Sequence, residues 1–279
     1  MTARPDANHA PAVLIEREDS TGVATAILNR PDQRNALSNE MLIALDRAIS
    51  ELAQDDRIRA IVLTGNGPAF CSGADTRELA GGPNGGPHKP GPGGAEALRR
   101  GFELPRKVIL GLFDIEKPVI AAIRGSAVGA GLDLACACDI RIAAHDARFS
   151  AAYVRVGLFP GYGGVWFYPR IFGMAKAAEM MFTGDFVSAE AALSTGFVNS
   201  VVPDHDLLQQ AQSLARRIAS GPPIAIRLAK TMMHRSLATD LQTSLQISAA
   251  AESITLSSQD HAEGMAAARE KRAPVYRGV

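Results

Sequence analysis

A glycine-rich stretch lies between an apolar segment and a run of small residues. Residues 118–123 are predicted to form a buried strand, and residues 125–134 follow with glycines at positions 125, 129 and 131. Glycine lets the backbone turn tightly and lets another group approach it closely. A helix that opens here directs free N–H groups, at the positive end of its dipole, toward whatever lies there. The stretch therefore predicts a site that favours a developing negative charge on oxygen.

A single carboxylate, Asp133, interrupts this small and apolar segment. It lies three residues after Ala130, so on a helix the two share a face about one turn apart. Acidic side chains are almost never fully buried unless they are paired. Asp133 is therefore a candidate acid or base, and a capping or salt-bridged structural carboxylate is the alternative.

Composition excludes several classes of protein and indicates a compartment. The 279 residues include 29 basic and 29 acidic side chains, and a net charge of zero favours neither nucleic acid nor an anionic membrane as partner. Residues 1–11 are polar, unlike a signal peptide, and no run approaches the ~20 apolar residues of a membrane-spanning helix. Cys71, Cys136 and Cys138 form no CxxC pair, which argues against a metal site and predicts a reducing, cytoplasmic setting.

Strands and helices alternate through the first two-thirds of the chain, and helices dominate the remainder. The predicted strands are residues 13–16, 23–28, 58–64, 118–123, 139–143 and 197–202, and the predicted helices are residues 39–53, 95–113, 175–182, 189–193, 206–219, 222–237, 241–256 and 259–271. This order predicts an α/β core over residues 13–200 and a helical region over 201–279. A disordered tail is predicted for residues 1–12, and residues 81–94, with seven glycines and four prolines, are predicted to be a loop.

Neither glycine-rich segment, 72–75 or 129–131, matches a nucleotide-binding motif, since GxGxxG and GxxxxGK[ST] are both missing. The six histidines are scattered without the spacing of metal ligands. Ser126 does not stand in a GxSxG motif, and no serine is paired with a histidine in the sequence. A serine peptidase is therefore disfavoured.

Four motifs, in this order and spacing, resemble those of the enoyl-CoA hydratase/isomerase (crotonase) superfamily. They are LNRP with RNALS (28–31 and 34–38), AFCSGAD (69–75), GAGLDLA with CDI (129–135 and 138–140) and GLFPGYGG (157–164). The resemblance runs from about Val13 to Arg269. It implies a spiral of ββα units with a helical C-terminal trimerisation region, assembled as a homotrimer or homohexamer. It also implies acyl-CoA substrates and no separate cofactor, because coenzyme A is part of the substrate.

The resemblance also implies roles for particular residues. By motif position, the backbone amides of Ala74 and Ala130 would hold the thioester carbonyl oxygen and stabilise an enolate. Losing one such donor costs other enzymes ~3 kcal/mol. The family more often has glycine at position 130. Alanine keeps the backbone N–H as a donor there if its φ is negative. The coenzyme A contacts implied by motif position are Arg34, Ala36, Ser72 and Ala74, with Arg77 as a phosphate partner.

This sequence departs from the family at the acidic pair. Typical hydratases carry two glutamates, and the corresponding positions here are Asp133 and Tyr153. An unperturbed phenol has a pKa of ~10, so Tyr153 is a poor base at neutral pH, although it can donate a proton, orient a water or bind the substrate. The dienoyl-CoA isomerase and dehalogenase branches carry a further acid where this chain has Gly161.

We therefore expect an enoyl-CoA hydratase whose catalytic groups are Ala74, Ala130, Asp133 and Tyr153. Hydration needs a base for water and an acid for the α carbon, and Asp133 is the residue best suited to both roles. The alternatives are a crotonase-fold thioester or C–C bond hydrolase, an isomerase, and a catalytically silent acyl-CoA-binding protein.

Overall fold

The computed structural model describes residues 10–79 and 99–279. The predicted loop at 81–94 lies outside the described residues, as do residues 1–9 of the predicted tail. The described end of that tail contacts the core, because Ala12 is buried and its carbonyl oxygen accepts a hydrogen bond from the Asn29 amide at 2.7 Å.

Nine strands within the described residues form two sheets. They are β1 (Val13–Glu18), β2 (Val23–Leu28), β3 (Ala60–Gly65), β4 (Val119–Ile123), β5 (Ser126–Val128), β6 (Ile140–Ala144), β7 (Arg148–Ser150), β8 (Val187–Ser188) and β9 (Ser200–Val202). The main sheet has the order β1-β2-β3-β4-β6-β9, and all its neighbours are parallel except the antiparallel hairpin β1–β2. Strands β3 and β4 are buried along their whole length, as expected of central parallel strands with near-continuous apolar sequences.

The smaller sheet, β5-β7-β8, positions the glycine-rich stretch. Strand β5 pairs in parallel with β7, and an isolated bridge joins Ala127 of β5 to Cys71. This bridge places residues 72–74 beside residues 128–130. The sequence did not reveal β5 or β8, because a strand of two or three residues shows no alternation of polar and apolar residues.

Helices cover both faces of the main sheet. They are α1 (Asn39–Gln54), α2 (Thr76–Leu79), α3 (Glu103–Asp114), α4 (Ala130–Cys136), α5 (Gly164–Ile171), α6 (Met174–Thr183), α7 (Ala189–Ser194), α8 (Leu207–Ala219), α9 (Pro223–Ser236), α10 (Leu241–Leu256) and α11 (Gln259–Glu270). Helix α1 begins after Ser38, whose hydroxyl accepts from the Met41 amide at 3.2 Å, and it packs its apolar side into the larger core. Helix α8 lies on the opposite face of the sheet and buries a row of alanines with Leu207. The mixed α/β class with C-terminal helices is confirmed.

A buried ion pair joins the C-terminal helices to the main sheet. Lys230 of α9 donates to the carboxylate of Asp139 at 2.8 Å and to the carbonyl oxygen of Lys117 at 3.0 Å. Asp139 also accepts from the Val119 amide at 2.7 Å, so the pair connects α9 to the ends of β4 and β6. One turn further along α9, His234 stacks on the ring of Phe113 with centroids 4.1 Å apart.

Helix α10 is an exception among the long helices, because none of its residues is buried. Leu241 and Leu245 are 75% and 61% exposed, respectively. Across residues 10–79 and 99–279, no helix has the length and apolar character needed to cross a lipid bilayer.

Candidate active site

Two glycine-rich turns meet at the start of α4 because their residues are small. Gly73 has a φ of +95°, and a Cβ on it would lie 2.6 Å from the Val128 carbonyl oxygen and 3.5 Å from the Ala130 nitrogen. A Cβ on Gly131 would lie 2.8 Å from the Cβ of Cys71 and would overlap the carbonyl oxygen of that residue. Glycine at both positions therefore allows the segments 71–74 and 128–131 to pack against each other.

The amides of Ala74 and Ala130 lie on these neighbouring turns. Ala74 and Leu37 form a β-bridge in which Leu37 hydrogen-bonds to the Gly73 carbonyl and to the Asp75 amide. The Ala74 amide takes no part in these bonds and points away from Leu37. Ala130 is the first residue of α4, where the amide has no partner within the helix, and its φ is not positive. Within the described part of the chain, neither amide donates to a protein oxygen.

Asp133 is fully buried, with 0% of its surface exposed, and two phenols contact its carboxylate. The Tyr153 hydroxyl donates to Oδ2 at 2.5 Å, and the Tyr168 hydroxyl donates to Oδ1. Burial raises the pKa of Asp133 to about 7, while the hydrogen bonds from Tyr153, Tyr168 and the Gly164 backbone oppose that rise. Among the described residues, no basic side chain forms an ion pair with this carboxylate, so Asp133 is not a salt-bridged structural acid.

The two tyrosines approach Asp133 from different elements. Tyr153 lies in a 3₁₀ turn, Ala152–Val156, and its ring atoms are 3.7–3.9 Å from the place where a Cβ on Gly129 would stand. Tyr168 comes from α5 and is fully buried. Burial raises the pKa of both phenols well above the ordinary value, so both stay protonated and act as donors. Tyr168 is a contact that sequence reasoning missed.

The residues expected to contact coenzyme A lie together at one edge of this site. The Ser72 amide donates to the Arg34 carbonyl at 2.9 Å, and its hydroxyl lies 3.4 Å from the Gln33 carbonyl. Arg77 donates to the Gln33 side chain at 2.9 Å and pairs with Asp75 at 2.6 Å. That guanidinium holds the pKa of Asp75 below its usual range, yet the Arg77 side chain stays 67% exposed. The remaining two expected residues lie in the same region. Ala36 directly precedes Leu37, and Ala74 pairs with Leu37.

Asn35 holds this edge in place, a role that the sequence did not reveal. It is fully buried and has a left-handed φ of 54°, which asparagine tolerates better than most residues. Its side chain donates to the carbonyls of Ala69 at 2.8 Å and Asn66 at 3.0 Å, and it accepts from the Arg30 amide at 2.8 Å. The side chain thereby joins the Arg34 turn to the loop that leads into the first glycine-rich turn.

An apolar cavity of about 420 Å³ lies between α3 and the start of α5, and Asp133 itself does not line it. Its wall includes Gly163, and a Cβ on the next residue, Gly164, would stand 2.8 Å from Oδ1 of Asp133. Tyr162 also lines it, and burial, with smaller effects from Cys71 and Asp133, raises the pKa of that phenol to about 12. The other lining residues are Arg106, Ile109, Leu110, Phe113, Asp114, Gly161, Trp166 and Phe167.

The described residues bring no three histidine, cysteine, aspartate or glutamate side chains together as a set of metal ligands. The three cysteines are unpaired and buried. Burial raises the pKa of Cys71 and of Cys138 to about 12 and that of Cys136 well above its ordinary value, so all three thiols stay protonated.

Comparison with known proteins identifies the class of this fold. The structure superposes on enoyl-CoA hydratase from Bacillus anthracis with a TM-score of 0.88 at 35% sequence identity, over 96% of this chain and 100% of that one. It superposes on enoyl-CoA hydratase from Mycobacterium smegmatis with a TM-score of 0.87 at 34% identity, over 96% and 99% of the two chains. The protein therefore has the crotonase fold.

Sequence comparison then defines the family. The family model for enoyl-CoA hydratase/isomerase matches residues 18–279. The short-chain-enoyl-CoA hydratase of Clostridium acetobutylicum is 36% identical over 261 residues, which are 93% of this chain and 95% of the relative. The 1,2-epoxyphenylacetyl-CoA isomerase of Escherichia coli is 35% identical over 257 residues, covering 92% and 95%. The chain belongs to the enoyl-CoA hydratase/isomerase family.

Proposed function

We propose that this protein is an enoyl-CoA hydratase that adds water to a 2-enoyl-CoA through a thioester enolate. The observation that carries the proposal is a buried carboxyl, Asp133, close to two turns whose amides, at Ala74 and Ala130, have no protein acceptor among the described residues. Such amides, placed where negative charge develops on the thioester oxygen, would lower the barrier by several kcal/mol, ~3 kcal/mol per donor. The hydratases among the relatives named above support the same reaction.

The pKa of Asp133, at about 7, suits both halves of a hydration. A general acid–base group works best when its pKa lies near the operating pH, because both protonation states are then populated. Asp133 would accept a proton as water attacks the β carbon and would return one to the α carbon, with Tyr153 assisting. One carboxyl would thereby perform the work that typical family members divide between two glutamates.

The neighbouring surfaces fit the rest of the substrate. Arg34, Ala36, Ser72, Ala74 and Arg77 lie together and would hold coenzyme A, with the exposed Arg77 guanidinium toward a phosphate. The apolar cavity beside Gly163 would hold the acyl chain. No cofactor beyond the coenzyme A of the substrate enters this scheme. The three unpaired thiols support a cytoplasmic setting.

A single carboxyl also favours a second reaction, the movement of a double bond within an acyl-CoA. In such an isomerisation one group removes a proton from one carbon and returns it to another, so no second acid is needed. Asp133, with its two oxygens shared between Tyr153 and Tyr168, fits this shuttle as well as it fits hydration. The 1,2-epoxyphenylacetyl-CoA isomerase of Escherichia coli, a relative whose name describes rearrangement of an epoxide, supports isomerisation of a coenzyme A thioester only in general terms.

Two substrates separate these reactions. A hydratase will remove the conjugated enoyl-thioester absorbance of crotonyl-CoA, whereas an isomerase will create that absorbance from 3-butenoyl-CoA. Asp133→Asn is the control and should lower either rate by ~10² or more while thioester binding, measured by calorimetry, stays unchanged. Release of the coenzyme A thiol would indicate a hydrolase, and binding without any turnover would indicate a silent acyl-CoA-binding protein.

We also propose that copies of this chain assemble through the C-terminal helices as a trimer or a hexamer. Helix α10 buries none of its residues within the chain, although its leucines at 241, 245 and 256 are apolar. Light scattering should therefore give a mass three or six times the 29.4 kDa of the chain. A monomer at micromolar concentration would contradict this proposal.

A further inference from the structure

Asp133, Tyr153 and Tyr168 form a hydrogen-bonded group, here called the Asp133 cluster. Its three side chains differ in how they face the two turns that carry the amides of Ala74 and Ala130. Asp133 and Tyr168 are both 0% exposed, whereas Tyr153 retains 7% of its surface. The Tyr153 ring lies against Gly129, the residue directly before the Ala130 amide. Tyr168 instead packs edge-on against Phe172, with ring centroids 6.0 Å apart. Tyr153 is therefore the member of the cluster on the side where a thioester would bind.

Each oxygen of the Asp133 carboxylate already accepts a hydrogen bond from a phenol. Oδ2 accepts from Tyr153 at 2.5 Å, and Oδ1 accepts from Tyr168. The absent Cβ of Gly164 would stand 2.8 Å from Oδ1, so the backbone of α5 closes that side as well. The ring carbon that carries the Tyr153 hydroxyl lies 3.7 Å from the place of a Cβ on Gly129, so this hydroxyl links Oδ2 to the turn where a thioester would bind.

We propose that Tyr153 is the group that exchanges protons with the substrate, and that Asp133 acts behind it as the proton reservoir. In this arrangement Tyr168 is a positioning residue that holds the second oxygen of Asp133 in place. The inference rests on the function proposed above and assigns the proton-transfer step of the same site to a different atom, the phenol oxygen of Tyr153.

The relay balances with a single carboxyl. In the forward step a water proton moves to the Tyr153 oxygen while the tyrosine proton moves to Oδ2 of Asp133. The water oxygen bonds to the β carbon, and the electron pair of the double bond moves to the thioester oxygen as an enolate. In the return step the Tyr153 proton moves to the α carbon, and the proton on Asp133 moves back to Tyr153. One water has been added, and both residues regain their starting states.

The other ionisable groups around this relay do not compete for its proton. The neighbours are the thiols of Cys71 and Cys136 and the phenols of Tyr162 and Tyr168, and burial raises the pKa of each. All four therefore stay protonated near neutral pH. Asp133 accepts the hydrogen bond of Tyr153, and burial raises its pKa to about 7, so it is the proton acceptor of the relay.

The chain offers a matched pair of variants to test this relay. Tyr153→Phe and Tyr168→Phe each remove one hydroxyl that donates to Asp133, and each keeps the aromatic ring. The assay is deuterium exchange at the α carbon of butyryl-CoA in D₂O, followed by proton NMR, with the full-length protein. This exchange needs proton removal and enolate stabilisation only, so it does not depend on whether the enzyme adds water. Tyr276→Phe, which lies in the C-terminal segment, controls for loss of a phenol elsewhere.

The two variants should differ in size of effect and in response to pH. Tyr153→Phe should slow exchange by at least ~10² at every pH, because the relay oxygen is lost. Tyr168→Phe should shift the pH midpoint of exchange upward by about one to two units and recover at high pH, because only a hydrogen bond to the carboxylate is lost. Calorimetry should give unchanged butyryl-CoA affinity for both variants.

Equal effects of the two variants would overturn the relay and would make Asp133 the direct base. Exchange by Tyr153→Phe at the wild-type rate would overturn it too, as would the lack of any exchange by the wild type. Failure of the hydratase proposal has a different signature, since crotonyl-CoA would then keep its absorbance while butyryl-CoA still exchanged.

Discussion

Replacing Asp133 with asparagine should stabilise the protein at alkaline pH while it lowers turnover by ~10² or more. Burial raises the pKa of this carboxyl from 3.8 to about 7, so the folded state binds its proton more tightly than the unfolded state does. The stability that this proton provides is complete below pH 4 and is lost as the pH rises through 7. A rise of about three pKa units corresponds to about 4 kcal/mol at ~1.4 kcal/mol per unit.

Asparagine keeps the shape of the side chain but does not ionise, so it avoids this loss. Its NH₂ group must face either Tyr153 or Tyr168, and that hydroxyl then accepts a hydrogen bond instead of donating one. This rearrangement offsets about 1–2 kcal/mol of the gain. We expect Asp133→Asn to be more stable than the wild type by about 2–3 kcal/mol near pH 8.5, and slightly less stable near pH 4.5.

Urea denaturation at the two pH values measures this difference. Both proteins are compared at one fixed concentration, so that assembly contributes equally to each apparent stability. Tyr276→Phe serves as the control variant for the loss of a phenol that does not contact Asp133. If the gap between Asp133→Asn and the wild type is the same at both pH values, Asp133 does not ionise with a raised pKa and the reasoning fails.

The pH dependence of turnover, the packing at Gly131 and the exposed guanidinium of Arg77 can each be tested. The turnover number should fall about tenfold per pH unit below the Asp133 pKa of about 7, and a flat pH profile would exclude Asp133 from the rate-limiting step. Gly131→Ala should lower the free energy of unfolding, measured by urea denaturation, by about 2 kcal/mol or more, because its methyl would overlap Cys71. Gly101→Ala is the control and should change this free energy little, because no heavy atom of the described residues lies within 4 Å of the added methyl. Arg77→Ala should raise KM for a coenzyme A thioester about threefold to tenfold and leave kcat unchanged. An unchanged KM would show that Arg77 does not bind a phosphate of coenzyme A.

Asp133 could be identified from the sequence because it is the single carboxylate in a segment of small and apolar residues. It also identified the turns around Gly73 and Gly131, since glycine marks places where two backbones approach each other. The four sequence motifs indicated the family to which the chain belongs. The fold could then be predicted from the family and from the order of strands and helices. Roles for Ala74, Ala130 and Tyr153 remain predictions that the proposed variants and assays address.

Tyr168 was missed for a physical reason. It lies 35 positions from Asp133 in a helix of mostly apolar residues, where a tyrosine is indistinguishable from a packing residue. Its role depends on the hydrogen bond from its hydroxyl to one oxygen of Asp133. That contact exists because α5 packs against α4, which the local sequence does not indicate. Asn35 was missed likewise, because its three hydrogen bonds reach residues as distant as Ala69.

Element boundaries show the same limit. The predicted strand at 197–202 is shorter in the structure, at Ser200–Val202, because the amides of Phe197 and Val198 bond to Ala192 at the end of α7. The helix predicted to open in the stretch 125–134 begins only at Ala130, after strand β5, since the bridge from Ala127 to Cys71 holds the first residues extended. Both differences arise from partners distant in sequence.

The ion pair between Lys230 and Asp139 fixes the alignment of α9 along the sheet. A slide of one helical turn, about 5.4 Å, would carry the ammonium away and leave a carboxylate buried without its cation. Loss of one partner from a buried pair costs about 3–5 kcal/mol, more than small shifts in apolar packing can recover. Helix α9 therefore docks in one register or not at all, and we expect its amides to exchange hydrogen together with those of β4 and β6.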